Sequence, residues 1–442
     1  MSILIKGGRL VTMNPQREVM RADISISGDR ISGIGAIPPQ PGEQVVDARG
    51  MLVIPGLIQT HVHLCQTLFR GMADDLELLD WLNLRILPLE SCHDEESLYY
   101  SSLLACAELL RGGTTAVIDM ATVHHTDSVF AAAERSGIRY LGGKCMMDHG
   151  EKGAKLLSED TDIALQQSLD LMQRWNGKAN GRLGYAICPR FVPSCSQELL
   201  KQIQALSTLY QVPVHTHASE NKSEIKLVES ERGKRNIIYL DELGLCNERL
   251  ILAHCIHLSE TEQQILAASQ TNVAHCPSSN LKLASGFAPI PALLSQGAHL
   301  SLGADGAPCN NNLSMFMEMR LAALIHKPFH GPTVMPALTV FEMATLGGAR
   351  ALGMAGELGS LEVGKKADIA VVDLNHWHTW PDQAGDVYAQ LVYQVQTSDV
   401  YCTIVDGHIC MLGGEVVAIP GFETKQKSLQ AWQRIAAKAG IL

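Results

Sequence analysis

The chain has 442 residues, 46% of them hydrophobic and 18% charged, with a formal net charge of −11. That length supports one large core plus a smaller unit, and the composition is that of an ordinary globular protein. The acidic balance argues against a nucleic-acid backbone as partner, and no apolar run reaches the roughly 20 residues needed to cross a bilayer.

Residues 1–55 alternate in short strand-like runs, ILIKGGRLVTM, ADISISG and RISGIGA, separated by Gly and Asp turn signals. The N-terminus reads as a strand and carries no signal-peptide pattern, so the expected location is cytoplasmic. The 12 cysteines are scattered without a C-x-x-C pair. They read as reduced thiols, several of them (Cys145, Cys188, Cys255, Cys276) small hydrophobes inside apolar strands.

From residue 56 onward, eight strand-like segments alternate with helical patterns: 56–63, 114–120, 139–148, 182–190, 213–220, 250–257, 272–280 and 299–306. Most are apolar runs, as expected where both faces of a parallel sheet are buried. Amphipathic patterns over 95–111, 162–176, 196–210 and 259–269 lie between them, and Ser259 with Glu262 makes a capping box. Strand alternating with helix in this way predicts an α/β fold, a (β/α)8 TIM barrel over residues 56–360. Residues 361–423 return to strand patterns, GKKADIAVVD and VYCTIVDGH, which are expected to pair with 1–55 in a small β-sandwich. Over 424–442, Leu429, Trp432, Ile435 and Ala436 recur at helical spacing, predicting a final packed helix.

Polar residues collect at the C-terminal ends of the barrel segments: His61 and His63, His217 and Glu220, His254, His275, Asp305. Barrel active sites form at that rim, because the βα loops converge there. In a strand, His61 and His63 share a face. An isolated histidine on an apolar strand is more often a bonded core residue; five strands ending in His, Glu or Asp are not explained that way. His61, His63, His217 and Asp305 are therefore the expected ligands of one divalent ion, Zn²⁺ or alternatively Fe²⁺ or Mn²⁺. Such an ion brings the pKa of bound water down to about 7. Glu220 is placed to move a proton without binding the metal. His254 is placed to orient the water, and Asp305 both to touch the metal and to accept the water proton.

These motifs resemble the amidohydrolase superfamily, in particular its aminohydrolase branch of adenosine-, guanine- and triazine-acting enzymes. The resemblance rests on Pro55-Gly56 through His61-Val62-His63, His217-Ala218-Ser219-Glu220, Ala253-His254-Cys255 and Gly303-Ala304-Asp305-Gly306, and it spans essentially the whole chain. Members with two metals carry a lysine on the fourth barrel strand; here that strand ends Cys188-Pro189-Arg190, which favours one metal. The run Thr67-Leu68-Phe69-Arg70-Gly71 through Asp80-Trp81-Leu82 is similar to deaminases of 5′-deoxyadenosine, methylthioadenosine and S-adenosylhomocysteine. Gln66 and the stretch from Pro189-Arg190 to Ser196 are similar instead to guanine deaminases; adenosine-type members commonly have histidine at the Arg190 position.

The resemblance implies a hydrolytic aminohydrolase that acts on a small molecule and assembles as a homo-oligomer. Implied substrate contacts are Gln66, Trp81, Lys144, Arg190 and Glu220, with Arg190 directed at either a purine carbonyl or a ribose. Trp81 reads equally as a packing aromatic, and Lys144 as a structural or surface charge. His124 and His125 fall on a loop, and His275 reads as a hydrogen-bonding support. The favoured substrate is a 5′-substituted adenosine; guanine, 8-oxoguanine, a pterin or an s-triazine would use the same machinery. A non-catalytic scaffold is the remaining alternative, and fold alone would not require so complete a site.

Overall fold

Alternating burial in the first 55 residues produces five strands: β1 (Ser2–Val11), β2 (Val19–Ser27), β3 (Arg30–Gly35), β4 (Gln44–Asp47) and β5 (Met51–Pro55). The computed structural model describes residues 2–150, 152–382 and 385–441. Met1 and Leu442, the outer ends of the expected first and last units, lie outside the described residues.

The central region supplies β6 (Leu57–His63), β7 (Thr114–Met120), β8 (Arg139–Gly143), β9 (Cys145–Met146), β10 (Leu183–Tyr185), β11 (Cys188–Pro189) and β12 (Val214–Ala218). It continues with β13 (Leu250–His254), β14 (Asn272–His275), β15 (His299–Leu302) and β16 (Asp305–Gly306). Every residue of β6, β7 and β13 is buried, the signature of strands covered on both faces. Helices Glu95–Arg111, Thr161–Trp175, Gln197–Tyr210 and Glu260–Ser269 lie between strands, close to the expected ranges. The last begins with the capping box read from the sequence, Ser259 Oγ accepting from Glu262 N and Glu262 Oε2 from Ser259 N.

All these ladders are parallel, in two arcs: β10-β8-β7-β6-β16 and β12-β13-β14-β15. The sequence pattern predicts one ring. Instead three expected strands are broken, at Lys144, at Ala186-Ile187 and at Gly303-Ala304, so β9 and β11 form a separate short ladder. Single bridges, Ile187 to Val214 and Phe191 to His217, span the gap between the arcs. Gly303 lets the eighth segment bend tightly over β6: a Cβ there would sit 2.6 Å from the His61 carbonyl oxygen.

After the barrel region come β17 (Ile369–Asp373), β18 (Val400–Val405), β19 (His408–Leu412) and β20 (Glu415–Val416). β17 pairs antiparallel with β5, so the two flanks join edge to edge in one nine-stranded sheet, where two facing sheets were expected. Ile3, Ile5, Ile24, Val53, Ile369 and Val371 bury one face of that sheet. A buried guanidinium fastens it to the barrel region: Arg139 donates to both oxygens of Asp368 and to Asp406, each at 2.9 Å.

The final helix, Gly421–Lys438, starts three residues before the expected boundary and packs Ala431 and Ile435 against Leu68, Phe69 and Leu89. Leu429 departs from the expected stripe and is exposed, because Ala431 and Ile435 define the inward face. Among the described residues no helix is long and apolar enough to cross a membrane.

Candidate functional site

The C-terminal ends of β6, β12 and β13 and the start of β16 bring His61, His63, His217, His254 and Asp305 within reach of one another. His63 Nε2 lies 3.2 Å from His217 Nε2, and Asp305 Oδ1 lies 3.3 Å from His61 Nε2 and 3.5 Å from His63 Nε2. The opposite ring nitrogens face outward: His63 Nδ1 is 2.9 Å from the Met120 carbonyl, His217 Nδ1 2.6 Å from the Arg190 carbonyl, and His61 Nδ1 2.9 Å from His215 Nε2. A carbonyl only accepts, so His63 and His217 carry their protons on Nδ1 and aim Nε2 lone pairs inward. His61, His63 and His217 form one group able to hold a metal ion; His61, His254 and Asp305 form a second, overlapping group.

Electrostatics reinforce that arrangement. Burial lowers the pKa of His61 and His217 and brings His63 down to about 4, which keeps these imidazoles in the neutral form that binds metals. Burial pushes the Asp305 carboxyl up, but the close approach of the imidazoles, His61 first and then His254 and His63, more than reverses it and holds Asp305 well below the usual carboxylate range. Three lone pairs and a carboxylate packed this closely suit a divalent cation of Zn²⁺ type.

Glu220 follows β12 at the wall of the same cavity, with Oε2 3.5 Å from His254 Nε2. Burial raises its pKa to about 7. His254 is buried too, which lowers its pKa, but the charges of Glu220 and Asp305 reverse the direction and raise it. The backbone is bent into place at these positions: Ser219, His254 and Asp305 have φ of 55°, 74° and 62°. Left-handed conformations at non-glycine residues cost energy and cluster at functional sites.

Gln66, Trp81 and Arg190 also line this cavity. Trp81 is buried, and among the described residues its indole N–H has no hydrogen-bond partner. Arg190 donates to both oxygens of buried Glu90, at 2.7 and 3.2 Å, and Gln66 donates to Glu90 at 2.7 Å. Lys144 is not brought to the cavity: it is buried, with Nζ bonded to Glu159 and to the Val123 carbonyl. His124 and His125 stand outside as well, facing Glu159 and Glu95. His275 does not make the supporting hydrogen bonds expected of it: among the described residues neither ring nitrogen has a partner, and the ring lies beside that of His326.

Several supporting residues escaped the sequence reading. Glu224 accepts the backbone N–H groups of Ser219, Glu220 and Asn221, fixing the turn that carries Glu220. Its signal was present, since Asn221 and Glu224 form a capping box. Asn280 meets His254 Nδ1 at 2.9 Å and Ser279 donates to Asp305 at 2.7 Å, both from the short helix Pro277–Lys282 that follows β14. Glu90 ends a short helix, Leu87–Glu90, and nothing local marks it out.

The amidohydrolase family model matches residues 52–410. The chain is 40% identical over 402 residues to the 5-methylthioadenosine/S-adenosylhomocysteine deaminase of Desulforudis audaxviator, covering 90% of this chain and 91% of that protein. It is 37% identical over 440 residues to the 5′-deoxyadenosine deaminase of Methanosarcina acetivorans, covering 99% of each. An adenosine deaminase from Xanthomonas campestris, solved with bound zinc, superposes with a TM-score of 0.91 at 32% identity, covering 98% of each chain. By its family match, and by relatives aligned over nearly its whole length, this chain belongs to the amidohydrolase family.

Proposed function

We propose that this chain is a metal-dependent hydrolytic deaminase that releases ammonia from an aminopurine, a 5′-substituted adenosine such as 5′-deoxyadenosine, methylthioadenosine or S-adenosylhomocysteine. One observation carries the reading: a buried carboxyl, Glu220, lifted to about 7, faces the same cavity as His63, His217 and Asp305. A carboxyl so poised donates a proton near neutral pH.

In this reading His61, His63, His217 and Asp305 hold one divalent ion, Zn²⁺ by donor type. When bound, that ion acidifies water and stabilises negative charge. Asp305 accepts the proton that water gives up, and His254 orients the oxygen. Glu220 protonates the ring nitrogen beside the amine-bearing carbon, which makes that carbon electrophilic. The proton taken up by Asp305 then goes to the amine, which leaves as ammonia, and the hydroxyl proton of the adduct returns to Glu220 as the ring carbonyl forms. Trp81 stacks on or covers the base, and Gln66 and Arg190 face its edge or its sugar.

The same reading takes the two arcs as halves of one (β/α)8 barrel over 56–360. The bridge from Ile187 to Val214 and the ladder from Asp305 to Val62 support it. The flanks 1–55 and 361–423 are then one accessory unit, and 424–442 a closing helix.

A second reading, deamination of guanine or a related oxopurine, is favoured by one feature: Gln66 and Arg190 sit side by side on Glu90 at the cavity wall. The test is ammonia release from adenosine, 5′-deoxyadenosine, methylthioadenosine, S-adenosylhomocysteine, guanine and melamine. Turnover of a 5′-substituted adenosine is expected; turnover of guanine alone overturns the first reading.

A further inference from the structure

Glu318 lies in the first turn of the helix Met315–Leu324, away from the cavity lining, and is fully buried. Among the described residues its carboxylate is met by Ser278 and Asn310, and neither is a cation. Ser278 N donates to Oε2 at 3.1 Å, Ser278 Oγ donates to Oε1, and Asn310 Nδ2 donates to Oε1 at 2.8 Å. A buried charge without a countercharge is costly to keep. That cost shows in its pKa, which burial raises to about 7 while Ser278 and Asn310 pull the other way. An apolar side chain would pack the helix without that penalty, so the carboxylate has to be explained by what its donors carry.

The two donors sit on the two segments that leave the metal-ligand cluster. Ser278 belongs to the helix Pro277–Lys282 after β14. The next residue, Ser279, donates to Asp305 Oδ2 at 2.7 Å, and the one after it, Asn280, meets His254 Nδ1 at 2.9 Å through Oδ1. An amide oxygen only accepts, so His254 carries a proton on Nδ1 and presents Nε2 to the cavity. Asn310 ends the helix Ala307–Asn310 after β16. Its Nδ2 also donates to the Ala304 carbonyl at 2.8 Å, one residue before Asp305.

We propose that Glu318 is a positioning residue for the reaction: it clasps the segments after β14 and β16 together, and through Ser279 and Asn280 it holds the orientation of Asp305 and His254. The role rests on the deaminase reading, in which those two groups handle the water. It extends that machinery to a side chain that touches neither substrate nor metal.

Three consecutive residues of one short helix thus point three ways, Ser278 to Glu318, Ser279 to Asp305 and Asn280 to His254. Successive side chains on a helix stand about 100° apart, so a rotation of the helix moves all three contacts together. A helix of six residues is too short to hold itself in place by its own hydrogen bonds. Glu318 fixes it by accepting from both the backbone and the hydroxyl of Ser278. Lys282 links the same two segments from the other end, donating to the Pro308 carbonyl at 2.8 Å.

Glu318→Gln keeps the shape but removes the charge and one acceptor, so at least one donor then faces an amide NH2. The test combines steady-state kinetics on 5′-deoxyadenosine with the visible absorption of the Co²⁺-substituted protein. Glu318→Gln is expected to lower kcat by about 10–100-fold, the usual effect of losing a group that orients a metal site, with KM nearly unchanged. The cobalt bands, which report ligand geometry at Asp305, should shift. In a Ser279→Ala/Asn280→Leu background the same substitution should cost far less than it does alone, because its routes to the cluster are already cut. Met317→Ala, an exposed change on the same helix, should match the wild type in kinetics and spectrum. Should Glu318→Gln not fold, Ser278→Ala removes one donor and should move kcat and the bands the same way by less. Wild-type kcat and bands in Glu318→Gln, or in Ser278→Ala where only that variant folds, overturn the clasp, and so does full additivity in the double-variant background. Absence of ammonia from every adenosine overturns the deaminase reading instead, and the cobalt bands still decide the clasp.

Discussion

His63 and His217 point their Nε2 atoms at each other across 3.2 Å while each anchors its Nδ1–H on a backbone carbonyl, of Met120 and of Arg190. Two lone pairs held face to face repel each other unless a cation lies between them, and the carbonyls prevent either ring from turning its proton inward. This pair of second nitrogens makes the cluster a metal centre in waiting more clearly than the count of histidines does.

Removing one of these rings should therefore remove the metal. His217→Ala is expected to fall from one bound divalent ion per chain to a small fraction of one, with activity lost in parallel. Metal content after gel filtration, measured by plasma emission, checks it. Full stoichiometry in that variant would take His217 out of the ligand set. Chelation of the wild type should likewise abolish ammonia release, with recovery on adding back Zn²⁺.

Glu220 tests a different step. Its carboxyl is not among the groups able to hold metal, so Glu220→Gln should keep the ion and lose turnover by about 10²–10⁴-fold, the usual contribution of a positioned acid or base. The pH dependence follows from burial having raised this carboxyl to about 7. The protonated form, which donates, prevails below that value and is titrated away above it. In the wild type, kcat/KM is expected to fall on the alkaline side of about pH 7, and the residual activity of Glu220→Gln should lack that limb.

Stability at the seam between flank sheet and barrel region depends on Arg139. Its guanidinium is buried, as are Asp368 and Asp406. Substituting Met would leave Asp368 buried without its cation and Asp406 with Lys366 alone, and breaking such a buried pair costs about 3–5 kcal/mol. Burial raises the Asp406 pKa, but Arg139 and Lys366 more than reverse it, so the folded value lies below the unfolded one. The stabilisation is then present above the unfolded carboxylate pKa and lost as pH falls through the folded one. Urea unfolding should show a large deficit for Arg139→Met at pH 7 that shrinks towards pH 3. An equal deficit at both pH values would contradict the assignment.

Much of this was legible in the sequence because the chemistry sits at strand ends. H-x-H on a buried strand, His217 with Glu220 three residues on, and Asp305 after an apolar run each have a local signature, and the parallel-sheet pattern says that such ends share a rim. Glu90 has no such signature: it ends a one-turn helix, and its role comes from Arg190, 100 residues away. Lys144 misled for the converse reason. It ends a strand beside the others, yet its ammonium is consumed by Glu159. The left-handed backbone at His254 and Asp305 was equally hidden: His and Asp enter that region more readily than most residues, but too rarely for the residue type to mark the position. The break in the eighth segment at Gly303 also turns on a long-range approach, to His61.

That approach yields a last prediction. A Cβ on Gly303 would lie 2.6 Å from the His61 carbonyl oxygen, 2.8 Å from its amide nitrogen and 3.0 Å from its Cβ. None of these atoms can yield, because His61 is fixed in β6 and its ring is committed to His215. Gly303→Ala should push β16 away from β6 and draw Asp305 off the imidazoles. The expected cost is about 1–3 kcal/mol from overpacking, together with weaker metal binding. Gly356→Ala is the control: a Cβ there meets nothing within 4 Å, and it should behave as wild type. Urea midpoints and competition with a fluorescent zinc chelator measure the two effects. If Gly303→Ala bound zinc as tightly as Gly356→Ala, the close packing of the eighth segment on His61 would not be what holds Asp305 in position.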